Sequence, residues 1–93
     1  MNGWSWAHFR GVRIQRADDS TYHATPIQGT LGEGWPDLAL FRDGRRVYAE
    51  VKAPGKKASD TQLWVLSILR AAGNEAYVWL PKDWDEVERV LRR

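Results

Sequence analysis

Glu50 and Lys52 stand two residues apart in "YAEVKAPGKK", residues 48 to 57, and a Pro-Gly pair with two further lysines follows at once. Residues two apart on an extended strand share a face, so this carboxylate and this ammonium point the same way. With a second carboxylate close by, they would make a set of hard oxygen donors beside a fixed cation. Such a set suits Mg2+ or Mn2+, and the ammonium suits the charge that develops on a phosphate under attack. Alone, Glu-x-Lys is a common product of strand alternation and says little. The residues that the fold brings to it decide its meaning.

The neighbouring sequence supplies them. "DLALF" reads as a strand, Asp43-Gly44 as a two-residue hairpin turn, and "RVYAEVK" as the returning strand. On that strand Val47, Ala49 and Val51 share one face, and Tyr48, Glu50 and Lys52 share the other. Turn geometry fixes the register and sets Glu50 opposite Asp37, at the open end of the hairpin. Asp37 and Glu50 are therefore the expected metal ligands, with the Val51 carbonyl as a third. Lys52 is placed to orient an attacking water or to stabilise a phosphate. Beyond the loop "APGKKA", Ser59 caps a helix and Gln62 completes its capping box. Gln62 lies at the edge of the helix face formed by Val65, Leu66 and Leu69, where it could fix Lys52 or a water at the metal.

These elements sit in a small frame. The chain has 93 residues, enough for one domain over residues 1–93 and one core. Cysteine is absent, which excludes disulfides, thiolate metal sites and cysteine nucleophiles. No apolar run approaches the roughly 18 residues of a membrane span, and the first ten residues lack the apolar core of a signal peptide. The expectation is a cytoplasmic protein. "WSWAHFRGVRI" alternates in part and reads as a first strand or a ribbon, "YHATPIQG" as a second short strand, and "TLGEGWP" as loop. The capped helix runs through "DTQLWVLSILRAA" to Gly73, "EAYVWL" is a further strand, and "DWDEVERVLRR" a final helix with acids early and arginines late. The fold class is α/β, a central mixed sheet with flanking helices in the order β-β-β-β-α-β-α. The strand–helix–strand unit should be a parallel crossover. Trp64, Trp79 and Trp84 are assigned to the core or to subunit contacts.

Net charge is only +2, but its distribution is uneven. Residues 1 to 16 carry Arg10, Arg13 and Arg16 with no acid, and residues 42 to 57 carry six cations against Asp43 and Glu50. Two basic zones can follow a phosphate backbone. His8 and Arg10, on the polar side of the first strand, are candidate phosphate contacts beside the metal. Lys56 and Lys57 lie where a backbone would pass, and Trp35 is a candidate either for stacking or wedging against a base or for packing over the hairpin or at a dimer contact.

Pro-Asp, a hairpin, then Glu-x-Lys resembles the signature of the PD-(D/E)XK nuclease superfamily. Residues 34 to 79 look more narrowly like a VRR-NUC domain of the stand-alone phage and bacterial type: Gly-x-Pro-Asp, then "EVK" with a Gly-containing basic loop, then Ser-x-x-Gln followed by Trp. The resemblance implies a restriction-endonuclease-like core and metal-dependent phosphodiester cleavage. It further implies a homodimer acting on branched DNA such as four-way junctions. Carried over by match, Asp37 and Glu50 are the metal ligands, Lys52 the catalytic lysine and Gln62 the motif glutamine. Family members usually begin with a helix whose glutamate completes the metal site. Here the sequence opens on a strand, and Glu33, Asp18 and Asp19 do not match that position. The alternative expectation is thus a catalytically weakened nucleic-acid-binding module with the same fold.

Overall fold

The computed structural model describes residues 3–9, 12–15, 21–24 and 29–93. Six strands and two helices follow in order: β1 (Ser5–His8), β2 (Val12–Gln15), β3 (Thr21–Ala24), β4 (Leu38–Arg42), β5 (Arg45–Val51), α1 (Asp60–Ala71), β6 (Glu75–Trp79) and α2 (Trp84–Arg92). From β4 onward the expected β-β-α-β-α order holds. Upstream, the stretch read as a strand or a ribbon carries β1 and β2. β2 pairs with β3 as a separate antiparallel ribbon. The principal sheet has four strands in the order β1-β4-β5-β6, and it is mixed: β1, β4 and β5 are antiparallel, and β6 joins β5 in parallel. This is a small α/β domain. Among the described residues no helix is long and apolar enough to cross a membrane.

Local chemistry explains the elements that matter for the site. Asp43 and Gly44 both take positive φ, 49° and 79°, the requirement of the tight turn that matches strand twist. The pairing that follows runs from Arg42 with Arg45 to Leu38 with Ala49, which carries Asp37 opposite Glu50. α1 begins at a reciprocal capping box between Ser59 and Gln62. It ends at Gly73, φ 92°, where the Gly73 and Asn74 amides donate back to the Arg70 and Leu69 carbonyls.

The sheet is covered on both faces. Val65, Leu66 and Leu69 of α1 pack with Ala76 on one face, joined by Leu31, Trp35, Tyr48 and Val78. Trp4, Leu40, Val47, Ala49 and Trp79 pack on the other face with Val87 and Val90 of α2. β5 therefore alternates as expected, Val47 and Ala49 toward α2, Tyr48 toward α1. Of the assigned tryptophans, Trp79 is core. Trp64 and Trp84 are 48% and 61% exposed, which excludes the core for both.

Candidate metal centre

Three strands and a helix start converge at the open end of the β4–β5 hairpin. Asp37 immediately precedes β4 and is held from two sides. Its carbonyl accepts from the Phe9 amide at 2.6 Å, which extends the β1–β4 ladder by one residue. Its Oδ2 accepts from the Val51 amide at 3.1 Å. The Asp37 side chain thus bonds to the main chain of the residue that follows Glu50.

The glycine of "GWPD" has a packing reason. A Cβ on Gly34 would meet the Thr61 carbonyl oxygen and Val65 Cγ2, each at 2.6 Å. Only glycine lets the loop before Asp37 lie against α1. Pro36 is fully buried in the same approach. The loop, and with it Asp37, is therefore seated on the helix that carries Gln62.

Glu50 is the one buried charged residue among those described, 2% exposed. Its Oε1 receives two donors, the Gln62 side-chain amide at 2.9 Å and the Lys52 ammonium at 3.3 Å. Its Oε2 is buried and receives no donor. Burial above all, with the negative charge of Asp37 and, when Glu50 is protonated, a hydrogen bond to it, pushes the Glu50 carboxyl up to about 7 against the pull of Lys52. Two carboxyl groups this close cannot both ionise cheaply without a cation between them.

The structure brings together Asp37, Glu50, Lys52 and Gln62, with the Val51 main chain beside them. Gln62 holds Glu50, however, rather than Lys52. Its Oε1 is taken by the Ser59 amide at 2.8 Å, so its NH2 end is the one left to face the sheet. Lys52 follows β5 by one residue, and its amide bonds the Trp79 carbonyl at 2.9 Å. A turn closed by Lys56 N–H to Ala53 C=O at 3.0 Å, with Gly55 at φ 79°, comes next. Lys56 and Lys57 stand exposed beyond it.

Two expectations need correction. His8 pairs with Leu38, and Leu38 with Ala49, on the α2 face. Alternation puts its side chain on the opposite side of the sheet from Asp37 and Glu50, so His8 is no phosphate contact beside the carboxylates. Trp35 is a packing residue rather than a base-stacking wedge. Its ring meets Phe9 and Tyr48 edge-on, at 5.9 and 5.7 Å, within the α1 cluster. Arg10 lies outside the described residues. Sequence reasoning missed the Val51–Asp37 bond and the Gly34 contact; the glycine three residues before Asp37 was the available signal for the second.

Among the described residues no group of three or more His, Cys, Asp or Glu side chains gathers at one point. The side-chain donor set at this end of the sheet is two carboxylates, Asp37 and Glu50. It fits a hard divalent cation that keeps several waters, as Mg2+ does, and the donor-free Glu50 Oε2 is the atom that most needs one. Comparison with protein-family models, with curated proteins and with solved structures finds no match.

Proposed function

We propose that this protein is a metal-dependent DNA endonuclease, a VRR-NUC-like member of the PD-(D/E)XK superfamily with a restriction-endonuclease-like core, acting on branched DNA such as four-way junctions. One observation carries the reading. A buried glutamate oxygen has no donor, sits next to a second carboxyl, and belongs to a side chain whose other oxygen is already held by a lysine and a glutamine.

Asp37 and Glu50 would hold Mg2+ or Mn2+, with the Val51 carbonyl as a further ligand. The bound cation would supply Lewis-acid polarisation of the phosphate and of the attacking water. Lys52 spends one of its three donors on Glu50. The other two orient the water for in-line attack and meet the charge growing on a non-bridging oxygen. Water adds to phosphorus as the bond to the 3′ oxygen breaks, which leaves a 5′ phosphate and a 3′ hydroxyl. Gln62 keeps Glu50 in place, and Lys56 and Lys57 hold the flanking backbone. A homodimer related by a two-fold axis would present two such centres for two cuts; the exposed Trp6, Trp64 and Trp84 give it apolar surface to use. Sedimentation of the purified chain reads the oligomeric state.

The deciding experiment incubates the protein with a labelled four-way junction and Mg2+ or Mn2+, alongside Lys52→Ala. Cuts that need metal and vanish in the variant are expected. A shifted, uncut junction would instead support a binding module. That second reading draws on the absence of a third acidic or histidine side chain at the centre among the described residues. It predicts retention that weakens with salt and ignores metal.

A further inference from the structure

We propose that Ser59, the cap of α1, is a positioning residue of the metal centre: through the Gln62 amide it determines which oxygen of Glu50 is presented to a cation. The inference rests on the metal-site reading above and gives Ser59 a role beyond capping its own helix.

The contacts run in series. The Ser59 hydroxyl accepts from the Gln62 main-chain amide at 3.1 Å, which seats Gln62 in the first turn. The Ser59 main-chain N–H donates to the Gln62 side-chain oxygen at 2.8 Å. The Gln62 NH2 then donates to Glu50 Oε1 at 2.9 Å. A primary amide has one accepting and one donating end. Turned over, it would set its NH2 against the Ser59 N–H and its oxygen against a buried carboxylate. Both contacts would repel, so the cap fixes the amide one way round. Held that way, Gln62 and Lys52 both occupy Oε1, and Oε2 alone is left without a donor. A capping box ordinarily serves only its own helix. This one extends across to a buried side chain of β5, so the start of the helix and the metal centre share a bond. Partners of this kind orient a ligand and tune its affinity.

The test uses the full chain, with Mn2+ as the probe. Wild type, Ser59→Ala, Ser59→Thr and Arg70→Ala are titrated by calorimetry, and the Gln62 side-chain amide resonances are recorded metal-free. Arg70 bonds the Ala76 carbonyl at the far end of the same helix, so its variant controls for lost helix stability. Ser59→Ala should weaken Mn2+ binding about tenfold and move the Gln62 amide pair toward the position of a solvent-exposed amide. Ser59→Thr should preserve both signals. Arg70→Ala should lower the melting temperature and leave both in place. Wild-type Mn2+ affinity in Ser59→Ala, or an equal loss in Arg70→Ala, would overturn the positioning role alone. A wild-type chain that takes up no Mn2+ would overturn the metal reading and this role together.

Discussion

The two ends of the β4–β5 hairpin use the same kinds of side chain to opposite effect. At the turn end, Glu75 receives Arg45 through two bonds of 2.8 Å. Arg45 also donates to the Val90 and Arg93 carbonyls and lies 5.0 Å from the centre of the Trp4 ring, with Arg42 over the same ring at 4.5 Å. Hydrogen bonding from Arg45 holds the Glu75 carboxyl below the usual range. At the open end, Glu50 faces another carboxyl, keeps one oxygen without a donor, and is pushed up to about 7, chiefly by burial. One glutamate is saturated with donors and the other is left short of them. A saturated cluster binds the layers of the fold together; an unsaturated carboxyl pair is left for a proton or a cation to balance.

The comparison can be broken most forcefully at the open end. Asp37→Asn or Glu50→Gln should abolish Mn2+ binding by calorimetry and lower any cleavage rate by about a thousandfold or more. Lys52→Ala should remove cleavage while metal binding persists. At the turn end the signs reverse. Arg45→Ala, which leaves Glu75 without its partner, should cost about 2–4 kcal/mol of stability in urea denaturation and leave Mn2+ affinity unchanged. If it lowers Mn2+ affinity instead, the two ends are not independent.

Acid titration separates them again. Glu50 binds its proton more tightly folded than unfolded, so its contribution to stability is full below about pH 4.5 and is lost as pH rises through about 7. Metal-free protein should weaken across that window by up to about 3 kcal/mol, and Mn2+ or Glu50→Gln should flatten the profile. Glu75 has the opposite sign: its stabilisation is present above the ordinary carboxylate range and fades as pH falls below it. The smallest expected effect comes from Gly34→Ala. The added methyl must displace the loop from Thr61 and Val65, at about 1–3 kcal/mol in thermal denaturation, with a weaker metal site because Asp37 moves with the loop.

Much of the open end was legible in the sequence because its rules are local. A two-residue Asp-Gly turn dictates the register from Asp37 to Glu50, strand alternation puts Glu50 and Lys52 on one face, and Ser-x-x-Gln announces the cap. The turn end was illegible. Nothing in periodicity pairs Arg45 with Glu75, or places an indole between α2 and two arginines. The same limit hid the partner of Gln62 and the face of His8, each decided by how β1 and the 29–37 loop pack in three dimensions.

The bond from the Trp4 indole to the Leu91 carbonyl, 2.9 Å long, spans 87 positions of the chain. The hydrogen bonds and ion pair made by the Asp37 and Glu50 side chains, by contrast, all fall within residues 37–62. Mechanical load applied across Trp4 and Leu91 therefore meets the indole–carbonyl bond first, while the hairpin and helix that carry the carboxylates are shielded in series behind it. In a single-molecule pulling experiment the early rupture should be the detachment of α2, with the 37–62 unit yielding later and at a force that Mn2+ raises.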